Sequence, residues 1–143
     1  MDITQISVFL ENRPNRLEQV FQVLADLSIN IQTLTIAEMH DFGILRMIVD
    51  RPGEAYAALK ANHITCSQTA VLAVALQDAP GALHRLVGAF GRRQINIDYM
   101  YAFADRPDAH AIMIFRFKDN EAAKGALEEE GYTVMKRSEI HRD

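Results

Sequence analysis

Residues 5–11 alternate, with Ile6, Val8 and Leu10 on one side and Ser7, Phe9 and Glu11 on the other. That is the pattern of a strand. The period then changes. Leu17, Val20, Phe21 and Leu24 fall at i, i+3, i+4 and i+7, which predicts a helix ending near Ser28 with these residues in the core. A second strand is expected over residues 31–38 and a turn over 40–43. A third strand, residues 44–50, is apolar at nearly every position and so belongs in the middle of its sheet. Pro52 and Gly53 open a second helix with Ala55, Tyr56 and Leu59 on one face, and residues 64–69 form a fourth strand.

The remainder follows the same plan. Leu72, Val74 and Leu76 alternate, and Leu83, Leu86, Val87 and Phe90 form a helical stripe that again reads as core. Strands are expected near residues 97–103 and 111–117, with a turn at 104–108, a helix over 120–130 and a last strand from Tyr132. The loops agree in register as well. Asn12-Arg13-Pro14-Asn15-Arg16-Leu17 returns as Asp78-Ala79-Pro80-Gly81-Ala82-Leu83, and Ile29-Asn30-Ile31 returns as Ile95-Asn96-Ile97. Both motifs recur at one spacing (80 − 14 = 96 − 30 = 66), so the chain is a duplicated unit. Each copy reads β-α-β-β-α-β, an α+β, ferredoxin-like unit with an antiparallel sheet and both helices on one face. The expected division is residues 1–69, residues 70–136, and a polar tail at 137–143 that frays.

Pro14 and Pro80 suit the first turn of a helix, where no backbone N–H is missed, and Asn12 and Asp78 are capping residue types just upstream. A unit of this size buries only about 60% of its unfolded surface, so the units are expected to stack or the chain to self-associate.

Composition narrows the function. The chain has 143 residues and a formal net charge of −4, with 15 Lys+Arg scattered among 19 Asp+Glu. No concentrated basic surface is visible, which argues against nucleic acid. The lone cysteine, Cys66, reads as a small buried residue and fits a reducing cytosol. No signal-peptide pattern is visible, and the longest apolar stretch, residues 70–76, is far short of the roughly 20 residues of a membrane span. The five histidines show no metal-ligand spacing, and no phosphate loop or nucleophile–base arrangement is apparent. No catalysis, metal or cofactor is expected.

A strand, then [Asn/Asp]-x-Pro-Gly-x-Leu opening a helix, then Ile-Asn-Ile leading into the next strand, resembles the ACT domain, here in tandem over nearly the whole chain. Phe9-Leu10-Glu11-Asn12 and Asp41-Phe42-Gly43-Ile44-Leu45-Arg46 look like the stand-alone tandem ACT proteins of prokaryotes. The resemblance implies a cytoplasmic sensor of amino acids, commonly associated edge to edge through its sheets, with ligand at the interface. A homodimer is implied, and an enzyme of amino-acid metabolism is a possible partner. Carried over by position, the ligand contacts are Leu10, Glu11, Asn12, Arg13, Pro14, Asn15, Arg16 and Leu17 with Asn30 and Ile31 in the first copy. In the second they are Asp78, Pro80, Gly81, Ala82 and Leu83 with Asn96 and Ile97.

The physical reading agrees. A zwitterion needs N–H donors for its carboxylate, which helix-start amides supply, and acceptors for its ammonium, which an asparagine amide supplies. Asn30 and Asn96 serve equally well as turn residues between helix and strand. The copies differ at Asn15, where the second has Gly81, and at Asn12, where the second has Asp78. Asparagine tolerates a left-handed backbone, so the first turn can survive. A carboxylate at Asp78 repels a bound carboxylate unless it faces the ammonium, so Asp78 is read as a helix cap and the first copy as the site. Three alternatives stand beside the sensor: a regulatory subunit acting in trans on an amino-acid biosynthetic enzyme, a metal-sensing unit, and an interaction module without a ligand.

Overall fold

The structure, a computed structural model, describes residues 2–103 and 110–142. The turn expected at residues 104–108 lies outside the described residues. Two compact units divide the chain: Thr4–Thr69 with Ile140–Asp143, and Ala70–Glu139 with Met1–Ile3.

The first unit contains β1 (Ile3–Glu11), α1 (Arg16–Asp26), β2 (Ile31–Met39), β3 (Phe42–Val49), α2 (Pro52–Ala61) and the start of β4 (Cys66–Gln77). Its strand order is β2-β3-β1-β4. β3 is central, as its apolar run predicts, and pairs antiparallel with both neighbours. Ile6, Val8 and Leu10 of β1 join Leu45, Met47 and Val49 of β3 in one buried cluster with Val20 and Leu24 of α1 and Ala55 and Leu59 of α2. Alternate strand positions in a single cluster put both helices on the same face of the sheet.

The second unit contains the rest of β4, then α3 (Ala82–Arg92), β5 (Tyr99–Phe103), β6 (His110–Arg116), α4 (Asn120–Glu129) and β7 (Thr133–Val134). Its order, β7-β4-β6-β5, repeats the first, and β4–β6, β4–β7 and β5–β6 all pair antiparallel. Its core joins Leu72, Val74 and Leu76 to Leu86, Phe90, Ala123 and Leu127, around the rings of Phe90, Phe115 and Phe117. Each unit is thus a ferredoxin-like βαββαβ fold, as the element order predicts.

Several expectations are corrected. The fourth strand does not end at Thr69; β4 runs unbroken to Gln77, because no turn-forming residue interrupts the segment. Leu83 and Val87 of α3 are exposed, and their counterparts Leu17 and Phe21 are only half-buried. These positions flank the helical stripe rather than centre it. The C-terminal tail does not fray. α5 (Arg137–Ile140) forms, and Ile140 and His141 are buried. His141 Nε2 accepts the Thr4 N–H at 3.0 Å, and its Nδ1 lies 2.8 Å from the Val49 carbonyl. Gln32 donates to the Ile140 carbonyl, and the Arg142 N–H to that of Asp50. A mostly polar composition hides these two buried side chains.

Pro14 and Pro80 lie in the turn before the helix, outside its first turn, and Asn12 and Asp78 cap nothing. The N-cap residues are Asn15 (φ 74°) and Gly81 (φ 82°), both left-handed and neither giving a side-chain cap bond. The turn therefore survives asparagine. A Cβ at Gly81 would meet only the flexible end of Arg85, at 3.2 Å, so the obstacle to substitution is the backbone. Gly81→Ala is expected to cost about 1–2 kcal/mol, while Asn15→Gly stays close to neutral. Urea unfolding of both variants checks this, and a neutral Gly81→Ala would refute the conformational account.

Helices α1 to α4 end alike. Ser28, His63, Gln94 and Gly131 adopt positive φ, and the next residue returns its N–H five positions back: Ile29 to Leu24, Ile64 to Leu59, Ile95 to Phe90 and Tyr132 to Leu127. This is the Schellman closure, with an apolar residue folded onto the core. It assigns a structural role to both isoleucines of Ile-Asn-Ile: the first locks the helix end and the second starts or precedes the next strand against the core. The asparagine is not the turn residue. In α1 the exposed carbonyls receive a cation too, as Arg51 donates to Leu27 and Ser28.

Candidate functional site

β1 delivers Leu10 and Glu11 to the head of α1, where the strand register sets their company. Leu10 pairs with Gly43, and Glu11 with Phe42. Gly43 in turn pairs with Glu38. A tight turn at His40 and Asp41 joins β2 to β3, and the Asn12 N–H closes the corner on the Asp41 carbonyl at 2.8 Å. These elements enclose a cleft of about 380 Å³. Leu10, Glu11, Asn12, Arg13, Arg16 and Leu17 form its α1 side, and Ile36, Glu38, Phe42 and Gly43 its hairpin side.

The charges are ordered. Glu11 is held by Arg13 (Nε to Oε2, 3.2 Å) and by Arg16 (Nη2 to Oε1, 3.1 Å). Arg16 Nη1 also donates to Gln19 Oε1 at 3.0 Å. Arg16 Nε is buried and has no hydrogen-bond partner among the described residues. Glu38 forms no ion pair among the described residues. The cleft thus presents the exposed Arg13 guanidinium, which pairs only with Glu11 among the described residues, the Glu38 carboxylate and an apolar rim of Ile36 and Phe42, which are 47% and 57% exposed.

Six of the ten first-copy residues expected at the site line this cleft. Pro14 does not line it, and Asn15 faces a shallow groove along α1 with Leu17 and Phe21. Asn30 and Ile31 lie at the far end of the unit. Ile31 pairs with Val49, and Asn30 exchanges bonds with Asp50. From Gly43 to Val49 is about 20 Å at 3.3 Å per residue. Within one unit, then, the helix-start amides and the Asn30 amide do not form a common cradle. In the second unit Asp78, Pro80, Gly81 and Leu83 are exposed at the head of α3 and Ala82 is buried. Asn96 bonds Asp98 at 3.3 Å, and Ile97 packs on the core at the opposite end.

The duplication serves as an internal control. Glu11, Arg13 and Arg16 correspond to Gln77, Ala79 and Ala82 at the 66-residue spacing, so the charged wall belongs to the first copy alone. Sequence reasoning missed Ile36, Glu38, Phe42 and Gly43. The signal was available, because centring the hairpin on His40–Asp41 sets Glu38 opposite Gly43. Elsewhere, burial pushes the Cys66 thiol above its ordinary range, partly offset by Lys60, as suits a structural cysteine. Among the described residues no three His, Cys, Asp or Glu side chains converge on a metal position, and no helix is long and apolar enough to cross a membrane.

The sequence pattern of the ACT domain pair matches residues 1–141. The chain belongs to the ACT domain pair family. Among solved structures, a protein from Bacteroides thetaiotaomicron is 38% identical to this ACT pair, with 98% of this chain and 96% of that chain covered and a TM-score of 0.91. The regulatory subunit of aspartate kinase from Thermus thermophilus is 19% identical, with 92% and 94% covered and a TM-score of 0.63. That from Thermus flavus is 20% identical, with 90% and 92% covered and a TM-score of 0.60. The two aspartate kinase subunits share the fold of the ACT pair. No curated protein matches the chain.

Proposed function

We propose that this ACT pair is a non-catalytic, cytoplasmic regulatory protein that binds a free amino acid in the cleft at the head of α1. The observation that carries the reading is the placing of Arg13, an exposed guanidinium that pairs only with Glu11 among the described residues, on the α1 side of the cleft, and of Glu38, whose carboxylate forms no ion pair among the described residues, on its hairpin side. A donor for a carboxylate and an acceptor for an ammonium are what a zwitterion needs. The second copy, with alanines in place of both arginines, acts as scaffold.

Binding is read out through assembly. β2 is an edge strand, and Leu34 and Ile36 stand exposed on it. An unpaired apolar edge favours a second chain, so the working form is a homodimer. A ligand that prefers the assembled state stabilises it by about 2.7 kcal/mol at a hundredfold over its Kd. A second reading, a subunit acting in trans on an amino-acid biosynthetic enzyme, draws support from the fold shared with regulatory subunits of aspartate kinase.

Titration calorimetry of the purified chain against the twenty amino acids tests the proposal. Binding of one or a few is expected, weakened at least tenfold in Arg13→Gln and in Glu38→Gln. No binding by any of the twenty would end the sensor reading, and co-purification with a larger enzyme would then favour the trans subunit.

A further inference from the structure

We propose that the cleft selects amino acids with an uncharged, apolar side chain of about the size of leucine, methionine or phenylalanine. This rests on the sensor reading and adds the side-chain class. The cleft has two unlike sides. Arg13, Arg16 and Glu11 form a polar wall, whereas Leu17, Ile36 and Phe42 offer carbon. Glu11 already neutralises both arginines in part, at 3.2 and 3.1 Å. The Nη atoms of Arg13, which bonds Glu11 only through Nε, and the Glu38 carboxylate, outside any ion pair among the described residues, remain. An α-carboxylate and an α-ammonium use both.

With those two taken, Arg16 is bonded to Glu11 and Gln19, and Glu11 to both arginines, so no charged group of the lining is left for a second charge. The side chain of an aspartate or a lysine would have to leave water against Leu17, Ile36 and Phe42 with no partner, which is unfavourable. An apolar side chain instead covers two large hydrophobic residues that now face solvent, Ile36 and Phe42. A cleft of about 380 Å³ also has room for more than glycine or alanine. Each added methylene buried is worth about fourfold in affinity, so leucine, three carbons larger, is expected to bind about 60-fold tighter than alanine.

Calorimetry of the full chain with leucine, methionine, phenylalanine, alanine, serine, aspartate and lysine tests this. 4-Methylpentanoate and isoamylamine, which keep the leucine side chain but lose the ammonium or the carboxylate, complete the set. The expected order is leucine, methionine and phenylalanine at least tenfold ahead of alanine and serine, with aspartate, lysine and both truncated analogues weaker still. In Phe42→Ala, a substitution at an exposed position that leaves folding intact, the leucine-to-alanine ratio is expected to fall severalfold. If serine, aspartate or lysine binds tightest, or if Phe42→Ala leaves the ratio unchanged, the apolar class is wrong and the amino-acid reading stands. If none of the amino acids binds, the sensor reading itself fails.

Discussion

Phe90→Ala is expected to destabilise the second unit by about 3–5 kcal/mol. Phe90 stacks obliquely on Phe117 at 4.9 Å and meets Phe115 edge-on at 5.7 Å, with all three rings essentially out of solvent. Truncation would remove a ring from the centre of this cluster and leave a cavity that β4, β6 and α4 cannot close without distorting the sheet. It would also free the apolar closure of α3, since the Phe90 carbonyl accepts the Ile95 N–H across a side chain that no longer fills the space. A domain has only about 5–15 kcal/mol in total, so most of the margin goes. The same position in the first unit is Leu24, a smaller side chain in a cluster whose fully buried members include no aromatic ring, with Phe21 and Tyr56 only at its margin, and Leu24→Ala is expected to cost less. Urea unfolding followed by circular dichroism gives both numbers. A cost below about 1.5 kcal/mol for Phe90→Ala would mean the triangle is not the centre of that core.

His141→Ala is expected to cost the first unit about 2–4 kcal/mol. The Thr4 N–H can only donate, so Nε2 must accept and Nδ1 must carry the hydrogen given to Val49. Both partners sit on neighbouring buried strands, and alanine would leave them facing a void. His141→Asn would restore at most part of the arrangement, because its amide cannot span both bonds. Hydrogen exchange at Thr4 and in β3 offers an independent check. Unchanged stability together with unchanged protection in the alanine variant would show that the C-terminal segment holds nothing in place.

Much of the fold was legible because periodicity and duplication reinforced one another. The alternation of Ile6, Val8 and Leu10, and the helical stripe beginning at Leu17, each recur 66 residues later. What stayed hidden was conformation and context. Residue type made Asn12 and Asp78 resemble caps, yet the chain turns left-handed three residues further on, at Asn15 and Gly81. The fusion of two expected strands into β4 was legible only in what the segment lacks, a turn-forming residue between Thr69 and Leu72. The polar tail concealed Ile140 and His141, as composition averages over single buried residues. At the site, the loop from Leu10 to Leu17 was legible as a motif. Its opposite wall comes from β2 and β3, and only strand register shows that Glu38 and Ile36 face it. The far placement of Asn30 follows from topology, because α1 carries the chain from one end of the sheet to the other.

The membership of Ile140–Asp143 in the first unit has a consequence for synthesis. On the ribosome, the strands and helices of that unit are finished some 70 residues before the segment bearing His141 is made. At roughly 5–20 residues per second, the wait is about 4–14 s. Throughout that interval the nascent unit lacks its closing hydrogen bonds at Thr4, Val49 and Asp50, which leaves it a better target for chaperones and proteases than the finished chain.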